Sequence, residues 1–349
     1  MRPGEYWIYL CVILGVVSIV SAGEPADNHL LRVVGNRLVD GKGQVVRLTG
    51  VNVPSLEWSN EGEHVLRSIH VACEEWHANA IRLPLSQDRW FGHARGQKDG
   101  GAAYRKIVDA AIHAAAERDA YTILDLHWSN AGVWGRHIGQ HDMPDLNSLV
   151  FWEHVAERYK NHPRVLFSLY NEPRNITWPV WKHGDETITG DGPDYTAVGM
   201  QTLVDKIRET GAKNVISASG IDWGFDLSGI ADGYALSDPN GHGILYETHI
   251  YPWKGDEWYW EDKVGRIKND HPILIGEAGH TNEAQYDPPE VWCENLLNWA
   301  DANGIHWTAW SFHPTATPAL IRNWEYTPTP HSGIYFKDRL AHYVRDADK

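Results

Sequence analysis

Residues 165–173 read VLFSLYNEP, an apolar run closed by Asn171, Glu172 and Pro173. A run of this length and composition predicts a buried strand that ends at a turn. Residues 272–277 read PILIGE and have the same form, ending at Glu277. In α/β folds the functional groups stand at the carboxyl ends of parallel strands, so both glutamates occupy places where a site is expected.

Strand-like runs of this kind recur eight times along the chain, with amphipathic helical patterns between most of them. The predicted strands are Leu48–Val53, Ala80–Leu85, Tyr121–Trp128, Val165–Asn171, Asn214–Ser219, Ile244–Ile250, Ile273–Glu277 and His306–Ser311. The predicted helices are Glu63–Ala78, Ala102–Arg118, Leu146–Asn161, Tyr195–Thr210, Asp256–Lys268, Pro289–Ala302 and Phe336–Arg345. No helix is predicted after the fifth strand, where residues 220–240 are rich in Gly and Asp.

This alternation predicts parallel βα units, and a total of eight favours a closed (β/α)8 TIM barrel over an open doubly wound sheet. A dinucleotide-binding sheet needs a glycine-rich turn after its first strand, and residues 50–55 (GVNVPS) lack one. Leu31–Val46 holds two alternating segments around Asp40-Gly41, which predicts an N-terminal β-hairpin covering the barrel floor.

The first 22 residues have the pattern of a secretory signal. They combine Arg2, an uncharged apolar stretch and the small residues Ser21 and Ala22, a pattern typical of a cleaved signal peptide. An uncleaved N-terminal anchor is the alternative. We expect a secreted protein, extracellular or periplasmic, in which residues 23–349 form a single domain that acts as a monomer.

Charge and cysteine content exclude several classes. A net charge of −15 argues against nucleic acid or an anionic membrane as a partner, and no membrane association is expected after cleavage. Cys73 and Cys293 fall in the predicted first and seventh helices, which the eighth helix would separate, so we expect no disulfide. The 20 histidines include no His-X-His pair, so neither a metal nor a cofactor is expected. A Schiff-base lysine at a strand end is also missing, since the nearest candidate is Lys254 in a loop.

Polar and aromatic side chains stand at the ends of the predicted strands. They are Arg82, Asp125, His127, Trp128, Asn171, Glu172, His249, Tyr251, Glu277 and Trp310. Taken singly, several have a purely structural interpretation, Arg82 as an ion-pair partner and the histidines as core residues. A buried glutamate is costly unless it is paired, however, and the set as a whole favours one site at the barrel mouth.

In this order the residues resemble glycoside hydrolase family 5, the cellulase family, from about Leu31 to Tyr343. The resemblance is carried by Asn171-Glu172-Pro173 together with Glu277, with further matches at Arg82, His127, His249-Ile250-Tyr251 and Trp310. It implies a retaining glycosidase with Glu172 as acid/base and Glu277 as nucleophile. Retention requires carboxyl groups ~5–5.5 Å apart.

Elementary chemistry suggests how the neighbours serve this pair. Glu172 must be protonated near neutral pH, helped by the negative charge of Glu277. Arg82 and Tyr251 are the expected donors that keep Glu277 ionised. The resemblance also implies that Asn171 bonds the sugar 2-hydroxyl, and that His127 and His249 bind hydroxyls or orient the carboxylates.

Tryptophan is unusually abundant, with 18 Trp against 6 Phe. The wide, flat indole face suits the C–H faces of pyranose rings. We expect Trp310 to form the floor of the cleavage subsite, and Trp128, Trp134 and Trp253 to contact substrate. Residues 127–145 and 313–332 are long loops that we expect to form the walls of a cleft.

The expected partner is a β-linked polysaccharide or oligosaccharide. An endo-β-1,4-glucanase acting on soluble glucan is favoured, with a β-mannanase, a xyloglucanase or an exo-β-glucanase of the same family as alternatives. A non-catalytic carbohydrate-binding barrel is the alternative from a different class. Two opposed carboxylates argue against it, because binding alone does not need them.

Overall fold

The computed structural model describes residues 28–190 and 192–347, in which strands and helices alternate along most of the chain. The strands are β1 (Arg32–Val34), β2 (Arg37–Val39), β3 (Val45–Val46), β4 (Thr49–Asn52), β5 (Ala80–Ser86), β6 (Tyr121–Trp128), β7 (Val165–Ser168), β8 (Gly184–Ile188), β9 (Tyr195–Val198), β10 (Ile216–Ser219), β11 (Ile244–Ile250), β12 (Ile273–Ala278) and β13 (His306–Ala309). The α-helices are α1 (Val65–Glu74), α2 (Gln87–Phe91), α3 (Ala102–Ala116), α4 (Leu146–Tyr159), α5 (Trp178–His183), α6 (Met200–Glu209), α7 (Glu257–Lys263), α8 (Pro289–Ala302) and α9 (Gly333–Ala347). The predicted signal peptide, residues 1–22, lies outside the described residues.

Eight parallel strands close into a barrel in the order β4-β5-β6-β7-β10-β11-β12-β13, and β13 pairs with β4 to complete the ring. These are the eight predicted strands, and the prediction of a (β/α)8 barrel is confirmed. Every residue of the eight is buried except Trp128 at the end of β6, which is partly exposed. Strands covered on both faces read as near-continuous apolar runs, which explains why the sequence pattern located them.

The N-terminal segment forms a three-stranded antiparallel sheet, one strand more than the predicted hairpin. The hairpin around Asp40-Gly41 is present as β2 and β3, and its turn is held by Asp40 Oδ1, which accepts the backbone N–H groups of Lys42 and Gln44. The extra strand β1 joins through a tight turn with Gly35 at φ 60°. Leu31 and Leu38 pack among the residues that begin the barrel strands, so the sheet covers the barrel floor as expected.

Most predicted helices are present, and α8 has the predicted bounds. Helix α4 begins with a capping box in which the Asp145 side chain accepts backbone N–H groups and the Asp145 backbone N–H donates to Ser148 Oγ. The prediction of one helix over 195–210 is wrong for its first turn, because residues 195–198 form β9, which pairs with β8. Gly199 explains the break: a Cβ there would lie 2.4 Å from the His183 carbonyl carbon, so the hairpin and the helix meet at a glycine.

The fifth βα unit is irregular, as the missing helical pattern predicted. A single π-helical turn, Ile230–Tyr234, stands where other units carry a helix, and Gly233 inside it has φ 102°. The predicted helix 256–268 is shorter than expected, because α7 ends at Lys263 and a 3₁₀ turn, Gly265–Ile267, follows it.

Much of the tryptophan excess is structural. Trp76, Trp90, Trp152, Trp181, Trp260 and Trp307 are fully buried, and all six belong to the core between the strands and the helices. Cys73 is partly exposed and Cys293 is buried, and both thiols are free, as predicted. Among the described residues, no helix has the length and apolar character needed to cross a membrane.

Candidate active site

Glu172 and Glu277 meet at the carboxyl ends of the barrel strands. Glu172 follows β7 by four residues, and Glu277 is the penultimate residue of β12. One oxygen of each carboxylate and a ring nitrogen of His249 all lie within 4.8 Å of one another. The side chain of Glu277 is 5% exposed and that of Glu172 is 13% exposed, so Glu172 is the more open of the two.

Glu277 is held by the two donors expected from the sequence. Arg82 Nη1 donates to Glu277 Oε1 over 3.1 Å, and the Tyr251 hydroxyl donates to Oε2 over 2.7 Å. Burial raises the pKa of Tyr251 well above its ordinary value, and the charge of Glu277 raises it further. The tyrosine is therefore a neutral donor, which can stabilise the carboxylate without competing for its proton.

Arg82 connects the carboxylates beneath the site. Its Nη2 donates to Asn171 Oδ1 over 2.8 Å and lies 3.1 Å from Asp125 Oδ1, while its Nε lies 2.8 Å from Glu247 Oε1. Burial lowers the pKa of Arg82, but the surrounding carboxylates outweigh burial and raise it above the ordinary value. A permanent positive charge thus sits at the centre of the site.

Glu172 has a different environment from Glu277. His249 Nδ1 lies 2.9 Å from Glu172 Oε1, and the Gln140 side-chain amide donates to Oε2. Burial raises the pKa of Glu172, but the hydrogen bond and charge of His249 outweigh it and lower the pKa below the ordinary value. This differs from the expectation that the charge of Glu277 keeps Glu172 protonated, because the adjacent imidazolium has the larger effect.

His249 lies between three carboxylates. Its Nε2 is 3.3 Å from Glu247 Oε1, and its Nδ1 is 2.9 Å from Glu172 and 3.6 Å from Glu277. Burial alone lowers the pKa of His249, but the three carboxylates outweigh it and raise the pKa to about 10. The spacing of His249 with Glu172 and Glu277 would suit a metal ion. An imidazolium has no free lone pair for a metal, so we interpret the trio as a hydrogen-bonded charge cluster.

His127 and Trp310 form a flat wall beside the carboxylates. Their rings are stacked with centroids 5.4 Å apart and an angle of 11° between planes. His127 Nδ1 lies 2.7 Å from Asp125 Oδ2, and its Nε2 lies 3.4 Å from the Asn171 amide nitrogen. Burial lowers the pKa of His127, but the hydrogen bond and charge of Asp125 prevail and raise it.

The other predicted tryptophans differ in position. Trp253 stacks on Tyr251 at 4.7 Å and is 46% exposed, so it adjoins the site. Trp134 instead packs against Phe91, the last residue of α2, and His93 just after that helix. In the described chain, neither Trp134 nor Trp128 makes a hydrogen bond or ring contact with the residues around the two glutamates, which leaves Trp253 as the tryptophan joined to them besides Trp310.

The sequence interpretation missed Glu247 and Gln140. Glu247 and His249 on β11 and Tyr251 just beyond its end occupy alternate positions of extended backbone. Side chains two residues apart in such backbone share a face, so this period-two pattern could have revealed Glu247. Gln140 comes from the long loop 127–145, and irregular backbone offers no comparable signal. Its contact with Glu172 supports the expectation that this loop forms a wall of the cleft.

Comparison with known protein families gives a match over most of the chain. The model of the family described as Cellulase (glycosyl hydrolase family 5) matches residues 39–316. An endoglucanase from Paenibacillus polymyxa is 26% identical over 85% of this chain and 83% of its own length. Endoglucanase C from Evansella cellulosilytica is 27% identical over 89% of this chain, which spans only 39% of that longer protein.

Solved structures share the fold. A β-glucanase from Saccharophagus degradans, in complex with cellotetraose, superimposes with a TM-score of 0.71 at 22% identity, covering 90% of this chain and 93% of its own. The catalytic domain of the major endoglucanase from Xanthomonas campestris pv. campestris gives a TM-score of 0.69 at 21% identity, covering 89% and 99%.

Proposed function

The chain belongs to glycosyl hydrolase family 5, the cellulase family, and on that premise we propose that it is a secreted, retaining endo-β-1,4-glucanase. Glycoside hydrolase activity follows from the family. The linkage, the endo mode of action, the residue roles, the single-domain organisation, the monomeric state and secretion to the periplasm or cell exterior are our proposals.

The observation that carries the proposal is the pair of glutamates with oxygens within 4.8 Å of each other. Inverting glycosidases need carboxyl groups roughly 6.5–9.5 Å apart to admit a water molecule, whereas retaining enzymes need about 5–5.5 Å. A short separation favours direct attack by one carboxylate on the anomeric carbon. The different environments of the two residues support different roles for them.

In the first step Glu277 is the nucleophile. Its attack on the anomeric carbon forms a covalent glycosyl-enzyme, while Glu172 gives a proton to the leaving oxygen. Arg82 and Tyr251 fix both oxygens of Glu277 in place before attack. Ordering the nucleophile in advance removes reorganisation from the barrier.

In the second step Glu172 is the general base. It takes a proton from water, the resulting hydroxide equivalent attacks the anomeric carbon, and Glu277 leaves as a carboxylate. The greater exposure of Glu172 is suited to this role, because water and the leaving group must reach it. We assign Asn171 and Trp310 to the sugar in the cleavage subsite, and Trp253 to the part of the glycan beyond Tyr251.

The substrate assignment rests on the relatives and on the shape of the site. The two relatives named above are endoglucanases. Trp253 is exposed and offers an apolar ring face to a neutral glycan, and Trp310 stacks on His127 beside the carboxylates. A surface with net charge −15 does not favour an anionic polysaccharide.

The test is reducing-sugar release from soluble β-1,4-glucan, mixed-linkage glucan, mannan and xyloglucan, with product lengths recorded over time. We expect hydrolysis of β-1,4-glucan with early appearance of mixed oligosaccharides and no single dominant short product. Mannan or xyloglucan as the preferred substrate would replace the substrate assignment, and release of one short product from the outset would replace endo action by exo action. Binding without any hydrolysis would favour the non-catalytic barrel.

A further inference from the structure

Glu247 is a buried carboxylate directly beneath the two catalytic glutamates. Its side chain is fully inaccessible to solvent, and it lies on β11 two residues before His249 and four before Tyr251. Side chains at alternate positions of extended backbone point the same way, and Tyr251 is still extended just past the end of β11, so all three line the barrel interior. The two-step reaction assigns Glu247 no role, yet burial of a charge is costly without a compensating interaction.

Every contact of Glu247 favours its ionised form. Oε2 accepts hydrogen bonds from Ser168 Oγ over 2.9 Å and Ser217 Oγ over 2.7 Å. Oε1 lies 2.8 Å from Arg82 Nε and 3.3 Å from His249 Nε2. Burial raises the pKa of Glu247, but Arg82 and the hydrogen bonds outweigh burial and lower it to about 2. Glu247 is therefore an anion throughout the pH range in which the fold is expected to work.

The neighbouring strand leaves space for this carboxylate. Gly276 precedes the nucleophile on β12, and a Cβ at that position would lie 2.0 Å from Glu247 Oε1 and 2.6 Å from its Cδ. Any side chain there would collide with Glu247. The glycine in the PILIGE stretch thus has a physical explanation, since Glu247 and Gly276 fit together as a pair.

Glu247 is one of three carboxylates that favour the protonated form of His249, and it is the one that faces Nε2. Carboxylates accept hydrogen bonds, so an imidazole with one ring nitrogen facing Glu247 and the other facing Glu172 satisfies both only when both nitrogens carry hydrogen. The groups that face His249 are Glu247 from its own strand, Glu172 beyond β7 and Glu277 on β12. The loop after β10 contributes only the backbone of Gly224.

We propose that Glu247 is a positioning residue that holds a proton on His249. During the reaction Glu172 is reprotonated from His249. The inference rests on the proposed function and extends it to the source of the catalytic proton. In the resting enzyme His249 is the imidazolium and Glu172 the carboxylate, joined by a 2.9 Å hydrogen bond. The charge of Glu247 keeps the proton in this pair.

The proton and charge balance is complete in both steps. During glycosylation Glu277 forms the bond to the anomeric carbon and loses its charge, and the bond to the leaving oxygen breaks. His249 Nδ1 passes its proton to Glu172 as Glu172 protonates that oxygen, leaving a neutral imidazole and a carboxylate. During deglycosylation water gives a proton to Glu172 and through it to His249, its hydroxide bonds the anomeric carbon, and Glu277 leaves with its charge restored.

The kinetic test compares the pH dependence of kcat/KM in the wild type and in Glu247→Gln. Removing a charge this close to His249 lowers the pKa of the proton-bearing pair, so the alkaline limb should move down by about 1–2 pH units. Ser217→Ala is the matched control, because it removes a hydrogen bond to Glu247 and retains the charge. The alkaline limb of the Ser217→Ala profile should coincide with that of the wild type, even if the variant unfolds at a lower temperature.

The second measurement is independent of activity and of the variant. Nitrogen-15 chemical shifts of the His249 ring, followed from pH 6 to pH 11 in the wild-type protein, should report an imidazolium with two N–H groups at pH 8. A neutral ring at pH 8 overturns the proposal, as does an unmoved alkaline limb in folded Glu247→Gln. If no glycan is hydrolysed but His249 is charged at pH 8, the proposed function fails while the assignment of the His249 proton stands.

Discussion

The Tyr251 hydroxyl donates a 2.7 Å hydrogen bond to Glu277 Oε2, on the side opposite the Arg82 contact with Oε1. Both oxygens of the proposed nucleophile are thus fixed by donors that do not titrate near neutral pH. The distance also places one phenol directly beside the atom that would attack the sugar. This relationship makes Tyr251 the simplest single probe of the mechanism.

For Tyr251→Phe we expect kcat/KM to fall by roughly 10²-fold, the size seen when one preorganised donor is removed from an active site. Tyr259→Phe is the control. Tyr259 lies on α7 and packs against Phe225, and among the described residues it makes no contact with the carboxylates. The measurement is the steady-state kcat/KM of both variants and the wild type on a soluble glucan. Equal losses in the two variants would remove the assigned role of the Tyr251 hydroxyl.

The two glutamates should respond differently to removal. Glu172→Ala should lose roughly 10²–10⁴-fold on a glucan but much less on an aryl glycoside whose leaving group needs no protonation. Glu277→Ala should be inactive on both substrates. Added azide should restore turnover in both, giving the inverted glycosyl azide from Glu277→Ala and the retained anomer from Glu172→Ala, as read by NMR. The same anomer from both variants would contradict the assignment of roles.

Local sequence pattern was enough to locate the barrel. Its eight strands are buried on both faces and therefore appear as apolar runs, and both glutamates stand at their ends. The N-terminal sheet and β9 were predicted less well, since they are short elements whose boundaries depend on glycine turns at Gly35 and Gly199. Such turns are weak signals in a single sequence.

Within the site, the residues themselves could be predicted from the sequence, but their protonation states could not. Arg82 and Tyr251 could be placed on Glu277 from their positions at strand ends together with the family resemblance. The ionised state of Glu172 could not, because it depends on His249, whose pKa is raised by Glu277, by Glu172 itself and by Glu247, a residue 75 positions further along the chain than Glu172. The sequence pattern carries no distances, and competing charges within a few ångströms determine the sign of a pKa shift.

Glu57 should make stability depend on pH. The carboxyl is 1% exposed; Ser55 N–H donates to Oε2 over 2.7 Å, and within the described chain Oε1 has no hydrogen-bond partner. Burial raises the pKa of Glu57 from 4.5 to about 7, and the charge of His127 only partly opposes this. Between these two values the folded protein holds a proton that the unfolded chain releases, so stability falls as pH rises through that window.

The corresponding variant is Glu57→Gln, in which the fall of stability with rising pH should be absent. The difference between pH 5 and pH 8 in the free energy of unfolding, measured with urea, should shrink by up to about 3 kcal/mol relative to the wild type. Glu61→Gln is the control from the same loop, because Glu61 is exposed. A wild-type pH profile in Glu57→Gln would mean that Glu57 is ionised in the folded protein already at pH 5.

Trp253 should contribute to substrate binding in a way that Trp258 does not. Trp253 stacks on Tyr251, whereas Trp258 is 75% exposed at the start of α7, and its ring contact among the described residues is with Tyr259. Trp253→Ala should raise KM for a long oligosaccharide roughly fivefold, equivalent to about 1 kcal/mol of lost ring contact, with kcat nearly unchanged. A larger effect in Trp258→Ala would place the substrate path on the outer side of the loop after β11.

Gly276→Ala should test whether Glu247 and β12 fit against each other. The added Cβ would lie 2.0 Å from Glu247 Oε1, and the serine and arginine contacts leave that carboxylate little freedom to move. We expect a loss of about 1–3 kcal/mol in the free energy of unfolding, the usual cost of overpacking a core. Gly139→Ala is the control, since no heavy atom lies within 4 Å of a Cβ there.

A double-mutant cycle separates this collision from a general weakness of the strand. If Gly276→Ala acts by pressing on the carboxylate, then shortening Glu247 to alanine should relieve much of the cost, and the two changes will not add. Glu247→Ala alone leaves Arg82 with one carboxylate fewer, so its own destabilisation is expected and cancels within the cycle. Strict additivity of the two unfolding free energies would show that Gly276 is needed for a reason other than Glu247.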